Sequence, residues 1–182
     1  GLGLALAVVD RLNPIGRTRA DDRSVVVTAA DGALLRTFVS HDGKWRLPVR
    51  PDQVDARYIE MLLAWEDQRF RDHPGVDPFA MLRATYQMAT EARVISGAST
   101  ITMQVARLME PRERTLPAKF LQAARALQLD WHLTKDRVLE LYLTLAPFGG
   151  NLEGVRAASF AWFGKEPKRL TVAEAALLVA LP

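Results

Sequence analysis

The chain has 182 residues, 49% of them hydrophobic and 25% charged, and a formal net charge of +3. This length and composition suit one domain, or one domain with a small appendage, and exclude disorder throughout the chain. The charge is too small to indicate nucleic acid as a partner, and the absence of cysteine excludes disulfides and thiolate chemistry.

The N-terminal stretch from residue 1 to residue 9 is apolar and uncharged. Crossing a bilayer takes about twenty apolar residues, so this stretch alone is too short. We interpret residues 1–20 as the end of a membrane anchor followed by a linker, and a buried strand is the alternative with the same composition.

Residues 21–50 predict a small β element. Two β-rich runs, 24–28 and 34–39, flank the sequence Asp31-Gly32, which is a strong hairpin signal. A second turn precedes a short apolar run at 45–49.

A helical period replaces the strand pattern from Pro51 onward. The first predicted helix has an apolar face and stops at Pro74-Gly75; the face consists of Val54, Tyr58, Met61, Leu62 and Trp65. Further helices are predicted over 79–90, 116–133 and 135–145, and a last helix is predicted at the end of the chain. The apolar face of the helix over 116–133 consists of Phe120, Ala124, Leu127 and Trp131. Thr134 is a predicted helix cap, and Thr171 with Glu174 predicts a capping box. The Gly- and Ala-rich segment 151–163 predicts close backbone packing.

A polar cluster follows the first predicted helix. Glu66 stands at the helix end beside apolar Leu62 and Leu63, a setting that suits general acid or base chemistry. Asp67 is adjacent, but consecutive helical residues project about 100° apart, so the two carboxylates are not expected to serve one atom. The alternative is a solvated acid at position 66 and an Asp67 that caps the next turn. His73 is either a proton carrier or a turn residue, and it has no His or Cys partner at the spacing of a zinc site.

A second cluster combines hydroxyls with cations. Three hydroxyls follow Gly97 at a predicted helix start: Ser99, Thr100 and Thr102. Free N–H groups and hydroxyls at such a place favour an anion. Three cations lie further along the chain and can clamp a diphosphate: Arg107, Arg114 and Lys119. The alternatives are an ordinary Ser/Thr helix cap and a solvated basic face.

Together these segments resemble, in order and spacing, the motifs of the family 51 peptidoglycan glycosyltransferases, the polymerising domains of class A penicillin-binding proteins. The counterpart of the family's first motif in this chain is Glu66-Asp67-x-x-Phe70-x-x-His73-x-Gly75. The counterpart of the second motif is Gly97-x-Ser99-Thr100-Ile101-Thr102-x-Gln104. The counterpart of the fourth motif is Lys135-x-x-Val138-Leu139-Glu140-x-Tyr142-Leu143. The resemblance runs from about Asp52 to Pro182.

The resemblance implies a mainly α, lysozyme-like glycosyltransferase domain over residues 51–182, incomplete at its C-terminal end, after the small β element. Such domains polymerise lipid II into glycan strands at the periplasmic face of the bacterial inner membrane, with inversion at the anomeric carbon and release of undecaprenyl diphosphate. The implied partners are lipid II, the growing glycan chain, the membrane and a fused or separate transpeptidase.

The resemblance also implies roles for individual residues. Glu66 would be the general base that deprotonates the 4-hydroxyl of the acceptor sugar. The implied substrate-binding residues are Asp67, Phe70, His73, Ser99, Thr100, Thr102, Gln104, Arg107, Arg114, Lys119, Gln122, Glu140 and Tyr142.

The third motif departs from the family pattern Arg-Lys-x-x-Glu. Here it reads Ala118-Lys119-Phe120-Leu121-Gln122, so an amide replaces the acid. A neutral amide does not hold a divalent cation as a carboxylate does, so Mg²⁺ or another divalent cation is a cofactor that the resemblance leaves open.

Two other functions compete with polymerisation. A lysozyme-like hydrolase would use Glu66 as general acid but usually needs a second carboxylate. A weakly active lipid II-binding domain would fit the change at Gln122.

Overall fold

A computed structural model describes residues 11, 14, 16, 18–30, 34–83, 99–113 and 115–182. In chain order its helices are α1 (Thr18–Asp21), α2 (Ala56–Glu66), α3 (Ile101–Met109), α4 (Leu116–His132), α5 (Lys135–Leu145), α6 (Val155–Phe163) and α7 (Val172–Ala180). Its strands are β1 (Val25–Thr28), β2 (Leu34–Phe38), β3 (Trp45–Arg46) and β4 (Leu152–Glu153). A 3-10 turn spans Pro51–Gln53, and residues 78–83 are helical. The predicted mainly α fold class is confirmed.

Several predictions fall outside the described residues. These are the apolar stretch 1–9, the hairpin turn Asp31-Gly32, the greater part of the predicted helix 79–90, and Arg114. Among the helices that the structure does describe, none is both long enough and apolar enough to cross a bilayer.

The chain divides into two compact units. The composite unit combines residues 18–65 with 139–182, and the central unit combines residues 1–17 with 66–138.

The predicted hairpin is present in the composite unit. β1 pairs antiparallel with β2, with Val25 opposite Phe38, and a bulge lies between Val27 and Thr28. β3 pairs in parallel with β4. The sequence did not predict this second pairing, because the partner strand lies far along the chain and only two residues on each side take part.

A buried arginine joins the N-terminal part of the composite unit to β4. The Arg46 side chain has no exposed surface. It donates to Glu153 Oε2 at 2.8 Å, to Asp42 Oδ2 at 2.7 Å and to the Asp22 carbonyl at 2.6 Å. Arg19 donates to the other oxygen of the same Glu153 at 2.6 Å. A buried charge is tolerated only when it is paired in this way, so the network fixes the register of β3 beside β4.

The first predicted helix forms as α2, but two of its details were wrong. Tyr58 and Leu62 are buried as expected, whereas Trp65 is 76% exposed, and nothing in the structure explains its exposure. The helix also ends at Glu66 rather than at Pro74-Gly75. Residues 68–76 form turns instead, and the Phe70 N–H already donates back to the Asp67 carbonyl at 3.0 Å.

The predicted apolar face of α4 was also wrong. Phe120 is 74% exposed and Trp131 is 66% exposed. The side chains that α4 buries are Arg125, Ala126, Gln128 and Leu129. Two of them are polar and bond to each other, since Arg125 donates to Gln128 Oε1 at 2.7 Å. Hydrophobic periodicity cannot detect a face that is buried through paired polar groups.

The predicted helix caps are confirmed. The Thr134 hydroxyl accepts from the Arg137 N–H at 3.3 Å, and Thr171 with Glu174 forms a reciprocal capping box before α7. The expected close packing of segment 151–163 is confirmed at Gly154. A Cβ built there would lie 2.6 Å from the Thr144 carbonyl oxygen.

Candidate active site

The first carboxylate of the polar cluster is held by an amide. Glu66 is the last residue of α2 and is half-buried. Gln104, in the first turn of α3, donates from Nε2 to Glu66 Oε2 at 2.6 Å. This bond fixes the orientation of the carboxylate, and Oε1 is then the oxygen that can take a proton from a substrate.

The second carboxylate of the polar cluster, Asp67, bonds neighbouring elements together. Asp67 is only 7% exposed, and its two oxygens lie 2.9 and 3.0 Å from Nε2 of the buried His73. Oδ2 also accepts the Ile101 N–H, at the start of α3, at 2.9 Å. A carboxylate at a helix N-terminus is favourable for the helix dipole and for its unpaired N–H groups. Asp67 and His73 therefore join the turn after α2 to the beginning of α3.

The start of α3 is held by a second contact with the same turn. Thr100 is the N-cap, accepting from the Met103 N–H at 3.1 Å and donating to the Gly75 carbonyl at 2.6 Å. Gly75 has a φ of +80°, and a Cβ there would lie 2.4 Å from the Ala126 carbonyl oxygen of α4. Only glycine allows both this backbone conformation and this approach. The helix-cap alternative for the hydroxyl cluster is thus correct for Thr100.

Lys135 belongs to this arrangement but was missed among the predicted site residues. Its ammonium donates to the His73 carbonyl at 2.5 Å, pairs with Asp130 at 2.6 Å and lies 5.0 Å from the centre of the Phe70 ring. Phe70 is itself buried. The signal was available, because Lys135 opens the fourth motif, but a lone lysine at a helix start gives no indication of a contact with residue 73.

The cations of the basic stretch separate into two groups. Lys119 donates to the Ser99 hydroxyl. The Lys119 side chain keeps exposed surface, but the surrounding protein desolvates it and lowers its pKa, and the charge of Arg107 lowers that pKa further. The positive charge of Arg107 is thus felt at Lys119. By contrast, Arg112 and Arg125 share one carboxylate, since they pair with the two oxygens of Glu110 at 3.2 and 3.1 Å.

Gln122 makes a backbone contact. Its Nε2 donates to the Met103 carbonyl of α3 at 2.6 Å. Among the residues that the structure describes, no three His, Cys, Asp or Glu side chains are grouped so that they could hold a metal ion.

The remaining predicted residues differ in their setting. Thr102 is fully buried, and neither its hydroxyl nor Nδ1 of His73 has a hydrogen-bond partner among the described residues. Glu140 and Tyr142 lie on the part of α5 that belongs to the composite unit, where Tyr142 is buried and Glu140 is half-buried. The central unit thus brings together Glu66, Asp67, Phe70, His73, Ser99, Thr100, Gln104, Lys119 and Gln122.

The sequence of the chain also matches a known family. The transglycosylase family model matches residues 31–182, and the chain belongs to that family. This confirms the resemblance that the motifs indicated.

Individual relatives are penicillin-binding proteins. Penicillin-binding protein 1C of Escherichia coli (strain K12) is 50% identical over 181 residues, which are 100% of this chain and 23% of that protein. Penicillin-binding protein 1A of the same organism is 39% identical over 158 residues, 86% of this chain and 18% of the relative. Penicillin-binding protein 4 of Bacillus subtilis (strain 168) is 35% identical over 153 residues, 84% of this chain and 24% of the relative. The chain thus spans about a quarter or less of the length of each of these relatives.

Proposed function

We propose that this chain is the catalytic domain of a peptidoglycan glycosyltransferase, which polymerises lipid II into glycan strands with inversion at the anomeric carbon. The observation that carries the proposal is the Gln104–Glu66 hydrogen bond of 2.6 Å, in a unit that also holds Lys119, Ser99 and Arg107. Membership of the transglycosylase family supports it.

Glu66 is the general base of the proposed reaction. Its carboxylate, oriented by Gln104, takes the proton from the 4-hydroxyl of the acceptor sugar. The oxygen of that sugar forms a bond to the anomeric carbon of the donor as the bond to undecaprenyl diphosphate breaks. Attack from the face opposite the leaving group inverts the configuration.

Lys119 and Arg107 stabilise the leaving group. The departing diphosphate gains negative charge in the transition state, and cations already held in place lower the energy of that state without reorganising. Lys119 suits this role, because its charge is partly desolvated and poorly neutralised before substrate binds.

A lipid-linked donor would place the reaction at the periplasmic face of the bacterial inner membrane, where a transpeptidase, fused or separate, would act on the product. The hydrolase alternative lacks support from Asp67, since this neighbouring carboxylate is buried and bonded to His73 and Ile101. None of the proposed steps uses a metal ion.

The test is incubation of the purified chain with labelled lipid II, with and without Mg²⁺, comparing the parent with Glu66→Gln. The replacement amide oxygen can still accept from Gln104, so the fold and this bond are retained while the base is lost. Glu60→Gln is the matched control, because Glu60 is an exposed acid on the same helix. We expect polymer and released undecaprenyl diphosphate from the parent and the control, and none from Glu66→Gln.

Each other outcome has a defined meaning. Cleavage of preformed glycan by the parent would indicate the hydrolase, and saturable binding without product would indicate the lipid II-binding domain. Normal polymerisation by Glu66→Gln would show that Glu66 is not the base.

A further inference from the structure

The first turn of α3 carries the amide that orients Glu66, so whatever fixes this turn fixes the candidate base. On one side it is held by the turn after α2, through Asp67 to the Ile101 N–H at 2.9 Å and through the Thr100 hydroxyl to the Gly75 carbonyl at 2.6 Å. On the other side it is held by α4, through the Gln122 amide to the Met103 carbonyl at 2.6 Å. Met103 is the residue immediately before Gln104.

The contact at Met103 requires a donor at position 122. A carbonyl oxygen only accepts hydrogen bonds, and the Gln122 amide supplies an N–H. An ionised carboxylate there would have no donor and would place its negative oxygens against the carbonyl oxygen. The acid that the family motif has at this position therefore cannot make the contact seen in this chain.

We propose that Gln122 is a positioning residue: its amide fastens the first turn of α3 to α4 and thereby holds Gln104 against Glu66. The inference rests on the proposed function, since it assigns Gln122 an effect on the general base. It also explains how this chain can work with an amide where the family pattern has an acid. Gln122 acts through Gln104 and has no contact with the reacting atoms.

Two isosteric substitutions separate the donor from the size of the side chain. Gln122→Met removes the donor, and Gln122→Glu removes it only while the acid is ionised. Charged groups lie near the position on both helices. Lys119 and Arg125 are one turn away on α4, Arg107 is one turn beyond Met103 on α3, and Glu66 is reached through Gln104. The three cations favour ionisation of an introduced acid at neutral pH.

We expect both variants to lower kcat for lipid II polymerisation roughly three- to tenfold at neutral pH, the effect of one lost hydrogen bond, with KM changed less than about twofold. Urea unfolding at neutral pH is the control for a merely structural defect, which would lower the folded fraction. Both variants should be fully folded there, so that the loss in kcat belongs to the folded protein.

The proposal is overturned if Gln122→Glu polymerises as fast as the parent at neutral pH, or reaches the parent rate on addition of Mg²⁺. If the parent itself forms no polymer, the proposed function fails, and the positioning role is judged by NMR. The side-chain amide signals of Gln104 should shift in Gln122→Met, and unchanged signals would contradict the role.

Discussion

Lys119 is the cation whose setting best fits the proposed diphosphate site. Partial desolvation lowers the pKa of its ammonium below the usual value of 10.5, and Arg107 lowers it further. Both causes make the isolated site unfavourable for positive charge, so a bound diphosphate relieves the repulsion and gains from both cations. The hydrogen bond to Ser99 holds the ammonium in place before the anion arrives.

Removal of Lys119 should weaken the donor site. Lys119→Ala is expected to reduce the affinity for lipid II by roughly 1–3 kcal/mol, because a charge-assisted hydrogen bond is lost. Isothermal titration calorimetry in the inactive Glu66→Gln background measures this affinity without turnover. Arg112→Ala is the control, since Arg112 is paired with Glu110, and it should bind nearly as tightly as the parent. Equal affinity for all three proteins would return Lys119 to a solvated face.

The lowered pKa of Lys119 also predicts a pH dependence. As the pH rises, Lys119 loses its proton at a lower pH than a free lysine does, so binding of the anionic donor should weaken at a pH below 10.5. Arginine keeps its charge throughout this range. Lys119→Arg should therefore retain affinity at alkaline pH, whatever its affinity at neutral pH. If the parent and Lys119→Arg lose affinity alike at alkaline pH, the group that titrates is not Lys119.

At the scale of secondary structure elements, the turn after α2 is fastened to three helices of the central unit. It bonds to the start of α3 through Asp67, Thr100 and the Gly75 carbonyl, and to the start of α5 through Lys135. It approaches α4 most closely at Gly75. These contacts are short and involve buried groups, so the orientation of Glu66 depends on several elements at once.

Gly75→Ala should destabilise the chain by roughly 2–4 kcal/mol, because a Cβ would overlap the Ala126 carbonyl and would also strain the left-handed backbone. Gly43→Ala is a matched control. Gly43 has a similar φ of +74°, but nothing lies within 4 Å of a Cβ there, so only the backbone term applies. Urea unfolding measures the stability lost in each variant. The difference between the two losses is the cost of the contact with α4. Equal losses would mean that the approach to α4 can relax without cost.

At the scale of the whole molecule, the composite unit joins distant parts of the chain through carboxylates. Asp55 accepts from the Arg57 side chain and from the Leu170 N–H at 3.0 Å, and Glu153 accepts from Arg46 and Arg19. The hydrogen bond from Arg57 is the largest cause that lowers the pKa of Asp55 to about 2. Burial alone would raise the pKa of Asp42, but hydrogen bonds from Ser40 and Arg46 lower it to about 2.

These carboxylates predict acid sensitivity. Their pKa values are lower in the folded chain than the ordinary value of 3.8, so their stabilisation is present above that value and is lost as the pH falls from 3.8 towards 2. The free energy of unfolding, measured by urea titration, should decline through this window. Asp55→Asn should be less stable than the parent at neutral pH and should show a smaller decline. Glu60→Gln, at an exposed site, should follow the parent, and an unchanged slope in Asp55→Asn would contradict the assignment.

Interactions within a few residues were predictable because the partners are adjacent in the sequence. The caps at Thr134 and Thr171, the hairpin strands and the end of α5 belong to this class. The motif spacing also identified most of the candidate site, since Glu66, Gln104 and Lys119 were named before any geometry was known. The failures were long-range. The buried face of α4, the exposure of Trp65 and the contact of Lys135 with the His73 carbonyl each depend on an element elsewhere in the chain.

The sequence by itself determined the helical class, the family and the residue types of the site, because periodicity, caps and motif order are local properties of the chain. Only the tertiary structure decided which groups pair. It bonded Asp67 to His73 and Ile101, paired Arg112 and Arg125 with Glu110, and directed the Gln122 amide to the Met103 carbonyl. The physical reason is that a hydrogen bond or ion pair needs two groups within about 3 Å. Packing between distant segments sets that distance.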